Sequence, residues 1–410
     1  MNTPFISFWK HPVFGAGFRP FFTFAFLVGV LFPLIWSAEF LQQLLTPSTF
    51  HFDLLKYSVL TPQLWHAHEM LYGFGWAVLG GFLLTASKNW VHIRGIHNAP
   101  LATLALMWLL ERIYILVGGY WPWLSENIIL HWLLLNLFLI STGIYILATL
   151  TYFRKNDTFK DNFFFVVGIP LFMFSKNLLL NPGTYAMGVS ISIGLFRLAF
   201  AVMFERTITQ FMKNSFGLNL IRNSYLDYTI KFLVLFAALE KILIIDSTVD
   251  FWAGLQILVS VLLFVRWLLW HPRQGLSNFG ISLMYIGYLG LVVNFVVSGL
   301  QMLGLTPFLI GAWSIHAFTF ICMGIVIPGM LIRISQGHTG RKLLFTKSDK
   351  VAFAFMGFGI LFRLLATQVV PAQYSVWIVS AGLCWALTFA IIGARVVGFL
   401  WLPRTDGKEG

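Results

Sequence analysis

Charged residues are scarce in this sequence of 410 residues. It contains 27 Lys and Arg and 15 Asp and Glu, and its 43 phenylalanines outnumber these charged residues taken together. Soluble domains carry about 25% charged residues and could not bury so much apolar surface in one core. The sequence is also 58% hydrophobic, with a mean hydropathy of +0.81. These values exclude a soluble globular protein and indicate that the chain lies in a lipid bilayer.

Cysteine is almost absent as well. Only Cys322 and Cys384 occur, and both lie inside apolar runs. Two isolated cysteines cannot form a disulfide framework, a zinc site of paired CxxC motifs or a CxxCH site for covalent haem attachment. Any metal or haem in this chain therefore needs ligands of another kind.

The positive charge has a simple explanation in a membrane protein. The formal net charge of +12 would point to nucleic acid in a soluble protein. Lys and Arg, however, accumulate in the cytoplasmic loops of membrane proteins. We therefore expect the lipid bilayer as a partner and no nucleic acid.

Apolar runs of spanning length recur along the whole chain. A hydrocarbon core of ~30 Å needs about 20 apolar residues per helix, which allows roughly twelve crossings here. The sequence predicts an all-α, polytopic integral membrane protein with a single transmembrane domain over residues 1–410. The predicted helices lie near 18–39, 65–86, 100–118, 129–153, 162–180, 185–210, 226–245, 250–270, 278–300, 310–333, 350–369 and 375–400.

The loops between these helices alternate in charge. Every second loop is rich in Lys and Arg, and the loops between them hold almost none, with Lys56 as the exception. Under the positive-inside rule the basic loops are cytoplasmic, which places both termini in the cytoplasm and requires an even number of helices. The basic loops follow the second, fourth, sixth, eighth and tenth helices and hold Lys88, Arg94, Arg154, Lys155, Lys160, Lys213, Arg222, Arg273, Arg341, Lys342, Lys347 and Lys350.

Two histidines and a glutamate open the second predicted helix. The segment Trp65–Ala86 reads WHAHEMLYGFGWAVLGGFLLTA, with His66, His68 and Glu69 near its outer end. Polar groups at this depth are costly and usually functional, and neutral imidazole is a common ligand of haem iron and copper. On a regular helix His66 and His68 point about 200° apart, so they do not readily bind one metal. We predict that at least one binds haem or a metal; an interfacial hydrogen bond is the alternative. Glu69 is a candidate for proton transfer or for orienting a ligand.

Small side chains continue the face below His66. Gly73, Ala77 and Gly80 recur at helical spacing after Met70. Such a face lets either another helix or a flat macrocycle come close, and ordinary helix packing explains the glycines taken alone.

His316 begins the tenth predicted helix, at the same expected depth as His66 and His68. A haem or metal site shared between the second and tenth helices is therefore compatible with the sequence. Pro328 and Gly329 are expected to kink or loosen the tenth helix.

Several cations also lie within predicted spans. Haem propionates or an anionic substrate would need such partners, since carboxylates in a low dielectric require paired charge. Arg112 and Arg363 are the candidates for propionate partners. Internal pairing is the alternative for Arg112, which follows Glu111, and for Lys241, which follows Glu240. The other cations have no acid nearby in the sequence, namely Lys176, Arg197 and Arg363.

Three motifs resemble those of a known family. The segments GFRPFF (Gly17–Phe22), WHAHEMLYGF with GFLLTASKNW (Trp65–Trp90) and RISQGHTGR (Arg333–Arg341) resemble the NnrS family of bacterial inner-membrane proteins, and the resemblance extends over nearly the whole chain. It implies a multi-pass protein of the bacterial cytoplasmic membrane that contains haem b and copper and acts in nitric oxide metabolism or resistance to nitrosative stress, with nitric oxide as the ligand. Matching positions implied to be important are Arg19, His66, His68, Glu69, His316, Arg333, His338 and Arg341.

Two other functions remain open at this stage. Twelve spans with both termini inside are a common plan of secondary transporters. Respiratory haem–copper reductases also use His-x-His on one helix for two haems, although the adjacent histidine pair usual for their copper site is missing here. The sequence identifies neither an electron donor nor a protein partner.

Overall fold

The computed structural model describes residues 8–44, 54–244 and 248–407, apart from the side chain of residue 43. This part of the chain is helical and contains no strand, which confirms the predicted all-α class. Its long helices are α1 (Phe18–Leu44), α2 (Pro62–Trp90), α3 (Asn98–Val117), α4 (Ile128–Tyr152), α5 (Phe163–Leu180), α6 (Tyr185–Phe216), α7 (Ser224–Ala238), α8 (Val249–Leu269), α9 (Phe279–Met302), α10 (Trp313–His338), α11 (Lys347–Val369) and α12 (Tyr374–Trp401).

Eleven helices in the described residues are long and apolar enough to cross a membrane, close to the predicted number of about twelve. The difference falls on the seventh predicted helix, near 226–245. Here α7 ends at Ala238 and a short turn, Glu240–Leu243, follows; residue 245 lies outside the described residues. The 15 residues of α7 span about 22 Å, which is less than the ~30 Å of a hydrocarbon core.

Many of the helices extend beyond the predicted apolar runs. For example, α2 continues through Ser87, Lys88 and Asn89 to Trp90, and α6 continues past residue 210 to Phe216. A helix continues as long as its backbone hydrogen bonds are favourable, and polar residues are tolerated once it reaches the headgroup region. Hydrophobic runs therefore locate the spans but underestimate the lengths of their helices.

Polar side chains cap several helix starts. Asn127, Asn223 and Asn278 accept hydrogen bonds from the backbone amides three residues ahead, at the starts of α4, α7 and α9. At the start of α11, Thr346 and Asp349 form a capping box. These caps satisfy amides that have no partner within the helix.

The chain divides into two compact units. The first, unit 1, comprises Met1–Gly188, Leu331–Leu344 and Phe389–Gly410, and so contains α1 to α5 with the ends of α10 and α12. The second, unit 2, comprises Val189–Met330 and Phe345–Thr388. It contains most of α6, all of α7 to α9 and α11, and the first parts of α10 and α12.

In unit 1, α1 and α2 pack through the two motifs GFRPFF and GFLLTASKNW. A Cβ on Gly17 would lie 2.6 Å from Leu84 Cβ, so the absence of a side chain permits the contact. The backbone amide of Phe18 donates a 2.8 Å hydrogen bond to Thr85 Oγ1, which closes the start of α1. Helix packing therefore explains why Gly17 and Thr85 occur in these two motifs.

The start of α1 and the end of α12 meet at one end of unit 1. Arg19 is 1% exposed, and its Nη1 donates to the carbonyls of Leu400 (3.3 Å) and Leu402 (2.8 Å). Two helix ends that touch lie on the same side of a membrane, so the number of crossings between them is even. This favours α7 with its following turn as the twelfth crossing, and the cytoplasmic assignment of that side remains a prediction from loop charge.

In unit 2, α9 packs closely on α8 and α10. A Cβ on Gly299 would lie 2.8 Å from the carbonyl oxygen of Ala253, and one on Gly290 would lie 2.8 Å from the amide nitrogen of Cys322. Ser260 Oγ on α8 also donates a 3.0 Å hydrogen bond to the Val292 carbonyl of α9. Small residues thus let helices approach in the membrane, where no hydrophobic effect drives their association.

Candidate functional site

Three helices change from α to π geometry, and each change occurs at a residue predicted to be functional. The π segment Glu69–Gly75 of α2 follows His68, and Ala317–Met323 of α10 follows His316. The third, Leu361–Ala366 of α11, contains Arg363. Widened turns of this kind are rare and occur frequently at functional sites. In α10 the backbone is α-helical at Pro328, where the sequence predicts a kink or loosening. The widened π turns end at Met323, about one turn before this proline.

His68 is oriented by the glutamate that follows it. Both side chains are buried, at 0% and 2% exposure, and His68 Nδ1 lies 2.8 Å from Glu69 Oε1. Glu69 Oε2 in turn lies 3.2 Å from Arg112 Nε, which favours the ionised carboxylate. An ionised carboxylate only accepts hydrogen bonds, so when Glu69 is ionised Nδ1 carries the proton and Nε2 holds the lone pair. This is the tautomer in which metal-binding histidines are usually held by a carboxylate.

His68 Nε2 has no hydrogen-bond partner among the described residues. Its nearest charged neighbour is Glu111 Oε1 at 4.0 Å, beyond hydrogen-bonding distance. A buried acceptor without a donor costs about 1–3 kcal/mol, which makes Nε2 a candidate ligand atom.

Two carboxylates and two cations surround His68. Glu111 Oε1 accepts from Lys176 Nζ at 2.7 Å and also pairs with Arg112 Nη2, while Glu111 Oε2 accepts from the Phe138 amide at 2.9 Å. With Glu69 paired to Arg112, the positive and negative charges balance. We call these five residues the His68 cluster: His68, Glu69, Glu111, Arg112 and Lys176.

The His68 cluster leaves little space beside α2. A Cβ added to Gly73 would lie 2.8 Å from Glu69 Oε2, 2.9 Å from Phe32 Cε2 and 3.0 Å from Arg112 Nη1. Side chains therefore occupy the small-residue face at Gly73, which favours helix packing over a flat macrocycle at this point. The most apolar part of α2 is also 83% buried, compared with 28% for α11.

His66 lies in a different environment. It is half-buried, and its ring stacks on Trp36 of α1 with centroids 4.2 Å apart and an angle of 15° between the planes. His66 is thus held by an aromatic face and His68 by a carboxylate, in agreement with the prediction that the two side chains point in different directions.

His316 in unit 2 is held by weaker contacts than His68. It is half-buried, its Nδ1 lies 3.2 Å from Thr319 Oγ1, and its ring meets the edge of Phe320 at 6.0 Å. A hydroxyl group can donate or accept, so Thr319 does not select one imidazole tautomer as Glu69 does. On α9, Asn294 donates to the Ser314 carbonyl at 2.6 Å, which holds the start of the His316 helix.

Arg363 lies on the helix that is hydrogen-bonded to the start of α10. Trp313 Nε1 donates to the Leu364 carbonyl at 2.8 Å, which joins the two π-containing helices within unit 2. Arg363 Nη1 donates to Tyr374 Oη at 3.2 Å, and the guanidinium lies 5.8 Å from the centre of that ring. No carboxylate among the described residues pairs with Arg363, so its charge is not neutralised within them.

The remaining membrane cations have identified contacts. Lys241 Nζ pairs with Glu240 Oε1 at 3.5 Å, as the sequence alternative proposed. Arg197 lies over the Phe295 ring at 4.6 Å, and its Nη1 is 3.4 Å from Gln256 Oε1.

The family-motif residues near the end of α10 lie at the end of unit 1 where the start of α1 and the end of α12 meet. The His338 ring lies 5.5 Å from that of Phe18, and its carbonyl accepts from Arg404 at 2.7 Å. Arg341 lies over the Phe399 ring at 4.6 Å. Arg333 is half-buried in α10. These contacts place His338 and Arg341 beside the C-terminal segment.

Sequence reasoning missed how Glu111 and Lys176 contribute. The sequence indicates Glu111 only as a partner of Arg112 and shows no acid near Lys176. Glu111 and Lys176 lie 65 residues apart in the chain. The sequence indicated only that an unpaired Lys within a span needs a buried acid. Among the described residues, no three His, Cys, Asp or Glu side chains come together as a group able to hold a metal ion.

A comparison with protein-family models finds a match to the model described as NnrS protein, which covers residues 12–404. No curated protein matches the chain.

Proposed function

The chain belongs to the NnrS family, a nitric-oxide-related family of membrane proteins, and on that premise we propose that it binds haem b and copper in the bacterial inner membrane and binds or transforms nitric oxide there. Its multi-pass helical structure agrees with this role. The observation that carries the proposal is the position of His68 and His316, each immediately before a π segment in a separate unit.

The donor set at His68 fits a small metal ion better than haem. His68 Nε2 has no hydrogen-bond partner among the described residues, so its lone pair is available as a donor. Imidazole nitrogen is a suitable donor for copper. The occupied space at Gly73 and the balanced charges leave no position for a macrocycle with two propionates. We therefore assign copper to His68, with Glu69 holding the imidazole in its ligand tautomer.

Unit 2 fits haem better. His316 supplies an imidazole, and Arg363, on the adjoining helix, is a cation without a carboxylate partner among the described residues. A haem propionate would neutralise that charge, and a half-buried cation in a membrane span is stabilised by such a group. The two arginines that the sequence offers as propionate partners thus differ in their contacts. Arg112 already pairs with Glu69 and Glu111, so we propose Arg363 as the propionate partner.

Haem iron binds nitric oxide directly, and copper can exchange an electron. The contribution of the protein is to hold the two histidines in place, to supply Arg363 as counter-charge and to keep the His68 cluster enclosed. His66, stacked on Trp36, remains a candidate metal ligand near the same end of α2.

The test is to purify the detergent-solubilised protein from cells supplied with copper and haem. We expect a b-type Soret band that changes on reduction with dithionite, copper bound to the chain, and a further spectral change when nitric oxide is added. Folded protein that is colourless and free of copper would contradict the proposal.

Secondary transport is the second candidate, because the His68 cluster buries four ionisable side chains besides His68 within spans, and such groups often mark ion or proton pathways. Solute uptake into liposomes by the colourless, copper-free protein would favour it. An enzyme like the haem–copper reductases would in addition consume nitric oxide under reducing conditions.

A further inference from the structure

A basic cavity lies at the end of unit 1 where the start of α1 and the end of α12 meet. Its volume is about 600 Å³, and three segments line it: the start of α1 with the residues before it, the end of α2 with its connection to α3, and the residues after α12. The cations that line it are Lys10, Arg19, Lys88, Arg94 and Arg404.

The cavity has an excess of positive charge. No Asp or Glu is among its described lining residues, and His11 and His97 also line it. Arg404 is neutralised nearby, through hydrogen bonds of 2.9 and 2.6 Å to Asp406. Lys88 forms no ion pair among the described residues, although it is half-buried. Like charges held in one cavity repel each other, so an anion bound there would relieve a cost that the fold otherwise bears.

Arg19 gives the cavity a fixed inner wall. Its side chain is 1% exposed and is held by the Leu400 and Leu402 carbonyls, so its position is set before any ligand binds. Its Nε is buried without a hydrogen-bond partner among the described residues. A guanidinium in a fixed position, surrounded by lysines, is well suited to recognise phosphate oxygens.

We propose that this cavity binds an anion that carries more than one phosphate group. Inorganic phosphate alone would contact only part of a cavity of about 600 Å³ lined by cations from three segments. Basic pockets between membrane helices on the cytoplasmic side bind the head groups of anionic lipids such as cardiolipin. A soluble diphosphate offers the same chemistry from the aqueous side. Because the ligand would contact the start of α1, the α2–α3 connection and the C-terminal segment together, it would also join these three segments.

The test compares a lipid and a soluble ligand on the intact protein. The protein is placed in nanodiscs of phosphatidylcholine with or without cardiolipin, and bound cardiolipin is counted by native mass spectrometry. In detergent, inorganic pyrophosphate is titrated while thermal unfolding is followed, with sodium chloride at equal ionic strength as the reference. Binding of cardiolipin alone identifies a lipid site, and binding of pyrophosphate alone identifies a soluble ligand.

Variants connect the binding to the cavity. We expect Lys88→Gln to weaken binding about tenfold or more, since it removes a charge-assisted contact. Lys10→Gln alters an exposed residue and tests the same cavity without endangering the fold. Lys155→Gln, on an exposed turn of unit 1 outside the cavity, is the matched control. The proposal is overturned if neither ligand binds more tightly than chloride, or if Lys155→Gln weakens binding as much as Lys88→Gln and Lys10→Gln do.

Discussion

His68 and His316 occupy corresponding positions in two different environments. Each lies three residues after a tryptophan and immediately before a seven-residue π segment. His68 is fully buried and bonded to a carboxylate in a cluster of balanced charge, whereas His316 is half-buried and bonded to a hydroxyl. The same local backbone therefore presents a histidine beside a carboxylate in unit 1 and one beside a hydroxyl in unit 2.

The two environments also differ in whether their cations are neutralised by carboxylates. The His68 cluster needs no further charge, because Glu69 and Glu111 match Arg112 and Lys176. Arg363, in contrast, lacks a carboxylate among the described residues. This contrast is the basis on which we propose copper at His68 and a haem propionate at Arg363.

The largest expected effect is on the stability of the His68 cluster. Glu111→Gln leaves Lys176 and Arg112 without their shared acid, and breaking a buried ion pair costs about 3–5 kcal/mol. We expect a large decrease in the thermal unfolding temperature in detergent. Glu126→Gln, at an exposed position of unit 1, should have little effect. Equal unfolding temperatures for both variants would show that the cluster is not a balanced charge network.

Arg363→Met should separate cofactor binding from stability. Arg363 is half-buried, and removing the partner of a charged group weakens its binding, so we expect most of the Soret absorbance to be lost. The unfolding temperature of the cofactor-free protein should change little, because Arg363 pairs with a tyrosine and not with a carboxylate. Arg112→Met, which leaves Glu69 without its cation and Glu111 with Lys176 alone, should show the reverse pattern. The proposed difference between the units is wrong if Arg112→Met removes the haem and Arg363→Met does not.

Glu69→Gln tests the fixed tautomer. The glutamine side chain can donate to Nδ1 as well as accept from it, so it no longer holds His68 in the tautomer in which Nε2 is free to bind a metal. Replacing such an outer partner typically weakens metal affinity about 10–100-fold, and we expect this for copper. Copper affinity is measured by competition with a chelator, with Glu240→Gln in unit 2 as control. Unchanged affinity would mean that Glu69 does not orient the ligand.

Thr319→Val should have a smaller effect than Glu111→Gln, Arg363→Met or Glu69→Gln. A hydrogen bond between neutral groups contributes about 0.5–1.5 kcal/mol, so haem affinity should decrease less than about 15-fold. A loss of haem comparable to that in Arg363→Met would show that Thr319 orients His316 as strictly as Glu69 orients His68.

The sequence predicted the membrane fold because each span needs its own apolar run, and it singled out His68, Glu69, His316 and Arg363 because polar groups within spans are costly. It did not predict the π segments, since residues 69–75 and 317–323 share no obvious composition. Nor did it reveal that Lys176 pairs with Glu111, because that contact depends on how α3 and α5 pack. The short α7 was overestimated because its apolar run continues past the break at Leu239.

The most direct measurement is the copper and haem content per chain of His68→Ala and His316→Ala, purified side by side from cells supplied with both. We predict that His68→Ala loses copper by more than about 100-fold in affinity, since even outer partners contribute 10–100-fold, and keeps the Soret band. His316→Ala should lose the Soret band and keep copper. Loss of haem with retention of copper in His68→Ala, or full retention of both cofactors in both variants, would contradict the assignment of separate centres to the two histidines.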